Sequence, residues 1–295
     1  MKPKNLYFSS RLQKGSIDFV SEFETATERL VSTLDTSGAP YDFIANTNDI
    51  WARDYMPVQT KSGTVVSFRY EPSYHETDEE KAERTSYRDD LADGFPLPVI
   101  YSDINLDGGN VVFSPSKNKM IISDRVFEEN KGLYSPNSLS NAAIIVRSLE
   151  RLLESQIIII PADPDDYTGH ADGMVRFVDE YTVVGNRTKY ALERDIKKVL
   201  NSHGIDVIDF PWFDSEDPIN EMSAVGCYIN FLETEECILL PEFYDEKDNL
   251  TFQAKEMDKE AIRLARELFN KPVLQVNINE IAIHGGVLNC ISWEY

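Results

Sequence analysis

The sequence predicts an α/β fold built from repeated units. Short runs rich in β-branched and aromatic residues alternate with amphipathic helical stretches along the chain. Five short polar segments recur at nearly equal intervals, and dividing the 295 residues by five gives about 59 residues a unit. A repeat of this length indicates one supersecondary unit arranged radially or in a stack. Any α/β chain alternates in a similar way, so an ordinary α/β order is the alternative.

Hydrophobic periodicity places the individual elements. The predicted strands are Thr64–Tyr70, Leu97–Tyr101, Met120–Ser123, Ile157–Ile160, Tyr181–Gly185, Ile205–Phe210, Cys237–Pro241 and Val273–Ile278. The predicted helices are Asp18–Leu34, Asn141–Ser155, Tyr190–His203 and Thr251–Asn270. The acidic, polar stretch Glu71–Gly94 has no clear period in its first half and is interpreted as a loop. Because no linker rich in Pro, Gly or Ser divides the chain, residues 1–295 are interpreted as a single domain.

The net charge of the chain limits the classes of molecule that it is expected to bind. With 29 basic and 51 acidic side chains, the formal net charge is −22. Such a surface disfavours nucleic acids and anionic membranes, which bind clustered Lys and Arg, and it favours small cationic molecules. No apolar run reaches the ~18 residues that span a bilayer. The N-terminus has no apolar core of signal-peptide length and the three cysteines give no disulfide framework, so a cytoplasmic protein is expected.

Two polar segments combine glycine or a turn with ionisable groups. In Asn48–Pro57, Asp54 follows Trp51, and the structural alternative is a turn capped by Asp with Trp51 in the core. In Thr168–Val175, His170 and Asp172 would share one face if the segment is a strand, because residues i and i+2 of a strand do. A neighbouring carboxylate raises the pKa of an imidazole and orients the ring. The alternative is a structural His–Asp hydrogen bond.

The third segment, Ile283–Ser292, holds a glycine pair and a cysteine. Gly285 and Gly286 allow the backbone to approach a ligand closely or to adopt a positive φ. A free cysteine is more often a small buried hydrophobe, which is the prediction for Cys227 and Cys237. Cys290 differs through its glycine-rich context and a potential partnership in space with His170. A metal is not expected, because no Cys-x-x-Cys or His-x-x-x-His spacing occurs and the four histidines are scattered.

Five motifs in order carry a resemblance to a known family. They are Trp51-Ala-Arg-Asp-Tyr-Met-Pro57, Asp107-Gly-Gly, Gly169-His-Ala-Asp-Gly173, Tyr228-Ile-Asn-Phe231 and a late Gly285-Gly with Cys290-Ile. Together they resemble the agmatine deiminase and bacterial peptidylarginine deiminase family over about Asp49 to Ser292. The resemblance implies a five-bladed, pseudo-symmetric α/β propeller of ββαβ-type repeats around a central active site. Family members are commonly dimers, so it also allows a homodimer.

The resemblance assigns roles residue by residue. It makes Cys290 the nucleophile and His170 the general acid and base, while Asp54 and Asp172 match the carboxylates that clasp the guanidinium. Asp107 stands where agmatine deiminases have Glu, one methylene longer, and would orient or polarise His170. The implied substrate-binding residues are Asp54, Asp172, Trp51, Asn230, Gly285 and Gly286.

These residue types suit the implied chemistry. Two carboxylates can form paired, charge-assisted hydrogen bonds along the edges of a planar guanidinium, and a cation beside sulfur favours the thiolate. The resemblance implies hydrolysis of a small guanidine without metal or organic cofactor, with agmatine, giving N-carbamoylputrescine and ammonia, as the first choice. The alternatives are a peptidyl- or free-arginine deiminase giving citrulline, an amidinotransferase, and a catalytically silent guanidine- or peptide-binding protein.

One region departs from both branches of the family. Residues Phe68–Tyr74 replace the Asn-Ala-Trp-Gly-Gly segment of agmatine deiminases and lack the paired arginines that grip a peptide carboxylate in bacterial peptidylarginine deiminases. The acidic run Glu71–Glu80 could meet the amine of agmatine or could be a solvated loop. The substrate is therefore open at this point.

Overall fold

The computed structural model describes residues 5–74, 77, 99–187, 191–214, 222–246 and 254–295. Its strands are β1 (Leu6–Ser9), β2 (Tyr41–Ile44), β3 (Val58–Gln59), β4 (Val65–Arg69), β5 (Val99–Asn105), β6 (Val112–Phe113), β7 (Lys119–Ser123), β8 (Gln156–Ile160), β9 (Val175–Phe177), β10 (Thr182–Asn186), β11 (Asp206–Phe210), β12 (Leu232–Glu233), β13 (Ile238–Glu242), β14 (Val273–Asn277) and β15 (Ser292–Glu294). Its α-helices are α1 (Glu24–Ser37), α2 (Ala52–Tyr55), α3 (Arg125–Glu129), α4 (Ser138–Leu153), α5 (Ala191–Ser202), α6 (Ala254–Leu268) and α7 (Asn279–Ala282). Strands and helices alternate, which confirms the predicted α/β class.

Within these ranges the strands form five three-stranded sheets. Their orders are β15-β1-β2, β3-β4-β5, β6-β7-β8, β11-β10-β9 and β12-β13-β14. The sheets of β1, β4, β7 and β13 share one pattern, in which the middle strand pairs antiparallel with one neighbour and parallel with the other. The five small sheets fit the five predicted repeats.

A parallel pair needs a long crossover connection, and helices supply it. Helix α1 connects β1 to β2, α4 lies between β7 and β8, α5 between β10 and β11, and α6 between β13 and β14. Most of the connection from β4 to β5 falls outside the described residues. The repeats that contain β1, β7, β10 and β13 therefore run strand, strand, helix, strand, and the first of them joins β15 near the C-terminus to β1 near the N-terminus.

The chain divides into two compact units. The first unit contains Met1–Arg53, Val184–Lys189 and Asp209–Tyr295, and the second contains Asp54–Val183 and Tyr190–Ile208. The interpretation of residues 1–295 as a single domain stays a prediction.

Helix α4 illustrates how the second unit is built. Its residues Ile145, Leu149 and Leu153 are spaced by four, fully buried, and packed in one cluster with strands of two neighbouring sheets. Asn137 accepts hydrogen bonds from the amides of Leu139 and Ser140, a cap that stabilises a helix by about 1 kcal/mol. This cap begins the helix three residues before the predicted start.

The first unit contains an aromatic cluster around a buried carboxylate. The rings of Tyr228 and Phe243 meet edge to face, and Phe213 packs against both. Asp258 of α6 accepts the Tyr228 hydroxyl at 2.6 Å and the amide of Phe243 at 3.2 Å, so the buried polar groups are satisfied. Helix α6 thus contributes a buried carboxylate to this aromatic cluster.

The predicted elements agree with the structure within a few residues. All eight predicted strands occur, although Leu97 and Pro98 lie outside the described residues. The first predicted helix, Asp18–Leu34, is shifted: a short 3-10 helix occupies Ser21–Phe23, and α1 runs from Glu24 to Ser37. Gly38 follows as the C-cap, with a left-handed φ of +74°. Among the described residues no helix is both long and apolar enough to cross a membrane.

Candidate active site

The structure brings the predicted site residues together in two groups, one in each unit. The acid–histidine cluster of the second unit consists of Asp54, Asp107, His170 and Asp172. The cysteine group of the first unit consists of Trp51, Asn230, Gly285, Gly286 and Cys290.

Short turns between strands position the acid–histidine cluster. Asp54 lies in α2, while Asp107 stands in extended conformation before a 3-10 turn at Gly108–Asn110. His170 has the same place before the 3-10 turn Ala171–Gly173, which contains Asp172. Because both turns open a repeat, the fold presents equivalent polar residues in equivalent positions.

The prediction that His170 and Asp172 share a strand face is wrong. The segment turns at Ala171–Gly173, and the next strand, β9, begins only at Val175. The side chain of Asn110 accepts hydrogen bonds from the amides of Ala171 at 3.2 Å and Ser123 at 2.8 Å, which stabilises the turn. The principal hydrogen-bond partner of His170 is consequently Asp107, far away in sequence.

His170 lies buried between two carboxylates. Its Nε2 is 2.9 Å from Oδ2 of Asp107, and its Nδ1 is 3.5 Å from Oδ1 of Asp54. The backbone N–H of Gly109 donates to the same Asp54 oxygen at 3.0 Å. Since a carboxylate accepts hydrogen bonds, Nε2 donates to Asp107, which leaves Nδ1 as the nitrogen that can exchange a proton.

The surrounding charges keep His170 protonated. Burial by itself lowers the pKa of His170, but the charge of Asp54, the hydrogen bond to Asp107 and the charge of Asp172 outweigh it and raise the pKa to about 10. An imidazolium at neutral pH can donate a proton to a leaving group.

The buried carboxyl group of Asp54 is a weaker acid than an exposed aspartate. Burial raises the pKa of Asp54 to about 7, with the charge of His170 acting against this rise and those of Asp107 and Asp172 adding to it. Three carboxylates around one imidazolium leave an excess of negative charge in a buried place. A bound cation would relieve that excess, and a planar guanidinium matches carboxylate acceptors geometrically.

Sequence reasoning missed Tyr74 as a member of this environment. Its hydroxyl donates to Oδ2 of Asp107 at 2.9 Å, and its ring stands edge-on to the ring of His170 with centroids 6.2 Å apart. Burial and the charge of Asp107 raise the pKa of Tyr74 well above its ordinary value. The departure of residues 68–74 from both family branches was the signal available in the sequence.

The cysteine group is held together by backbone hydrogen bonds. The N–H of Cys290 donates to Oδ1 of Asn230 at 3.2 Å, and the carbonyl of Cys290 accepts from the N–H of Arg53 at 3.0 Å. The Arg53 side chain also donates to the carbonyl of Asn289 at 3.2 Å. Arg53, which the sequence did not single out, and the buried Asn230 therefore fix the backbone around Cys290. None of the three cysteines, all of which lie in the described residues, forms a disulfide; Cys290 is half-buried.

The glycine pair is required by packing and by conformation. A Cβ on Gly286 would lie 2.5 Å from the ring of Trp51 and 2.9 Å from Cβ of Cys290. Gly285 has a φ of +101°, which favours glycine. The absence of a side chain at Gly286 thus allows Trp51 to approach the Cys290 segment.

Two further observations concern ions. Glu71 is exposed and lies 3.5 Å from Nε of Arg69 as an ion pair, while most of the run to Glu80 lies outside the described residues. In the part of the chain that the structure describes, no three His, Cys, Asp or Glu side chains are placed to hold a metal ion.

Comparison with known proteins gives the family. The model of the Porphyromonas-type peptidyl-arginine deiminases matches residues 19–295, nearly the whole chain. The chain belongs to this family. No curated protein matches it. The family membership supports guanidine deimination as its chemistry.

Several solved structures are similar to this chain in fold. The C. jejuni agmatine deiminase is 18% identical with a TM-score of 0.69, and a Cys-to-Ser variant of that enzyme with substrate bound gives 18% and 0.66; each match covers 99% of this chain and 93% of the other. A Cys-to-Ser mutant of DDAH from Pseudomonas aeruginosa, complexed with citrulline, is 11% identical with a TM-score of 0.58 and full coverage of both chains. At these identities the likeness shows a shared fold.

Proposed function

We propose that this member of the family hydrolyses a small cationic guanidine, with agmatine as the first candidate, to a ureido product and ammonia. The observation that carries the proposal is the buried arrangement of His170 between Asp54 and Asp107. The arrangement places one imidazolium beside three carboxylates, so the cluster carries more negative than positive charge. That combination suits a substrate which is both a cation and the source of a leaving amine.

Cys290 is proposed as the nucleophile and His170 as the general acid and base. The thiolate sulfur attacks the guanidinium carbon, forming a C–S bond and a neutral tetrahedral adduct. His170 gives a proton to one nitrogen, the C–N bond breaks, and ammonia leaves a cationic thiouronium on Cys290. Neutral His170 then takes a proton from water, and the hydroxide adds to the same carbon. The C–S bond breaks, its electron pair returns to sulfur, and the product oxygen loses its proton to solvent.

Asp54 and Asp172 are proposed to clasp the guanidinium, and Asp107 to orient His170. Trp51, Asn230, Gly285 and Gly286 are proposed to shape the place where Cys290 meets the substrate. The proposal requires Cys290 and His170 to act on one substrate carbon. The Cys-to-Ser variants of the C. jejuni enzyme and of DDAH, holding substrate and citrulline respectively, support a cysteine nucleophile.

The described cations near the acid–histidine cluster favour a substrate without a carboxylate. Arg69 pairs with Glu71, and Nε of Arg125 lies 3.1 Å from Oε1 of Glu129. A free arginine or a C-terminal arginine carries a carboxylate, and to bind it Arg69 or Arg125 would have to exchange its present carboxylate partner. The family name favours peptidyl-arginine as the second candidate.

A substrate screen tests the proposal. The purified chain is incubated with agmatine, free arginine, and peptides with internal or C-terminal arginine, and both ammonia and the ureido product are measured. We expect turnover of agmatine, its loss in Cys290→Ser, and its retention in Cys227→Ser, the matched half-buried free thiol. Turnover of arginine peptides alone would replace agmatine by the second candidate. Absence of ammonia from every guanidine, or an active Cys290→Ser, would overturn the proposal. An amine acceptor converted to a new guanidine would instead indicate an amidinotransferase.

A further inference from the structure

Tyr74 is joined to the acid–histidine cluster by a hydrogen bond that the proposed reaction does not use. Oδ2 of Asp107 accepts two hydrogen bonds of equal length, from Nε2 of His170 at 2.9 Å and from the hydroxyl of Tyr74 at 2.9 Å. One carboxylate oxygen can accept both because it has two lone pairs. The imidazole and the phenol therefore share one acceptor atom, and each hydrogen bond weakens the other.

Tyr74 is held in place by contacts that do not involve the cluster. The guanidinium of Arg125 lies over its ring, 5.3 Å from the centroid, and the Tyr167 hydroxyl donates to its backbone carbonyl. Oε1 of Glu129 accepts from the hydroxyl of the preceding residue, Ser73, at 2.7 Å. The position of the Tyr74 ring is thus determined before any substrate arrives.

The backbone leading to Tyr74 is fixed as well. Asn105, the last residue of β5, accepts from the N–H of Glu71 at 2.8 Å and donates to the carbonyl of Glu71 at 2.7 Å. The same Asn105 side chain donates to Oε2 of Glu129 at 3.1 Å. The segment 71–74 is consequently hydrogen-bonded to β5 through Glu71 and to α3 through Ser73. A displacement of this segment, and with it of Tyr74, would break several of these hydrogen bonds at once.

We propose that Tyr74 is a positioning residue of the active site, whose hydroxyl sets the orientation and the charge of the Asp107 carboxylate that holds His170. The inference rests on the proposed function for its kinetic consequences, although its structural content does not. A donor on Asp107 withdraws electron density from the oxygen that His170 contacts. Removing that donor leaves a stronger acceptor for the imidazolium and a carboxylate that is held by one hydrogen bond fewer.

A test of this proposal must distinguish the effect of Tyr74 on His170 from the effects of the other groups that face the imidazole. The groups that face it are Asp54 from α2, Asp172 from its own turn, Asp107, and Tyr74 itself. Among them Tyr74 is the neutral donor, since its pKa lies well above the ordinary value through burial. Its removal changes no formal charge at neutral pH, so any change in the protonation of His170 reports the hydrogen bond rather than a lost ion.

The decisive variant is Tyr74→Phe, which removes only the hydroxyl and keeps the ring beneath Arg125. Tyr134→Phe, a hydroxyl removed from an exposed tyrosine of the same unit, is the control. Isotope-labelled histidine NMR follows the titration of His170, identified by its missing signal in His170→Gln. Steady-state kinetics with the best guanidine substrate follows kcat and KM across pH.

In Tyr74→Phe we expect the pKa of His170 to rise, kcat to fall about tenfold, and KM to change less than twofold. The alkaline limb of the kcat profile should move to higher pH together with the NMR titration. Tyr134→Phe should match the wild type in each measurement. If Tyr74→Phe does not fold, Tyr167→Phe, which removes the hydrogen bond to the Tyr74 carbonyl, should shift the pKa of His170 in the same direction by a smaller amount.

Three outcomes would overturn the inference. The first is an unchanged pKa of His170 in Tyr74→Phe. The second is a raised KM with an unchanged kcat, which would make Tyr74 a substrate contact. The third is a loss of thermal stability as the only change. Failure of the proposed function is distinguishable from all of them. A wild-type chain that turns over no guanidine would leave the NMR comparison intact, whereas an active wild type with an unaffected Tyr74→Phe would reject the inference alone.

Discussion

Nδ1 of His170 lies 3.5 Å from Oδ1 of Asp54, and both side chains are buried. At this distance the two groups influence each other's protonation strongly, because little water screens them. The pKa of His170 is raised to about 10 and that of Asp54 to about 7, so the protonation of each group depends on the charge of the other. The pH dependence of the reaction should therefore report both groups.

We expect kcat/KM for a guanidine substrate to be bell-shaped. Below about pH 7 Asp54 gains a proton and can no longer offer a charged acceptor to the guanidinium, so binding weakens as the pH falls. Above about pH 10 His170 loses the proton that the departing ammonia needs. A substrate guanidinium with the pKa of an arginine side chain keeps its charge across this range. An acid limb near the ordinary pKa of aspartate in kcat/KM would show that Asp54 is ionised in the free protein and contradict this account.

Gly109 should not tolerate a methyl group. A Cβ at this position would lie 2.5 Å from Oδ1 of Asp54 and 2.6 Å from Nδ1 of His170, so one of the two side chains must move. We expect Gly109→Ala to lower kcat/KM by about a hundredfold, since displacement of a general acid removes much of its contribution. The overpacking should also cost about 1–3 kcal/mol of unfolding free energy, measurable by urea denaturation.

Gly173→Ala is the matched control for that change. Gly173 belongs to the second 3-10 turn of the same unit, and the nearest atom to a Cβ there, Oδ2 of Asp166, is at 3.8 Å, an ordinary contact. We expect this variant to keep wild-type kinetics. Equal losses in both variants would mean that glycine is needed for the turns themselves and not for the space beside His170.

Asn230 should control the placement of Cys290. Asn230→Ala truncates a buried side chain and removes the acceptor of the Cys290 N–H, at a cost of about 0.5–1.5 kcal/mol for the lost hydrogen bond. We expect slower alkylation of Cys290 by iodoacetamide and a kcat about tenfold lower. Asn201→Ala, an exposed asparagine on α5, serves as the control. An alkylation rate and kcat equal to those of the wild type would mean that Asn230 does not position the thiol.

The long elements of the fold could be predicted because their patterns are local. The run Ile157–Ile160 and the four-residue spacing of Ile145, Leu149 and Leu153 each specify an element without reference to the rest of the chain. Strands of two or three residues, such as β3 and β12, carry too little pattern to be recognised. Strand β1 was missed for another reason, since its antiparallel partner β15 lies at the other end of the chain.

For the site, the identity of the residues could be predicted from the sequence, but their geometry could not. Motif order selected Asp54, Asp107, His170 and Asp172, and the structure places them in one cluster. The geometry within the cluster was not accessible, because the His170 contact to Asp107 spans 63 residues and the expected strand is a turn. Tyr74 could not be found from spacing at all, since only the folding of residues 71–74 onto β5 and α3 brings it to Asp107.

Trapping the covalent intermediate on Cys290 tests the central claim most directly. The reaction is quenched in acid during turnover of agmatine, and the intact protein and its Cys290 peptide are weighed by mass spectrometry. The account predicts an adduct on Cys290 with the mass of the substrate less ammonia, and its absence from Cys290→Ser, while Cys227 and Cys237 stay unmodified. Ammonia release that continues in Cys290→Ser, with no adduct on any cysteine, would contradict it.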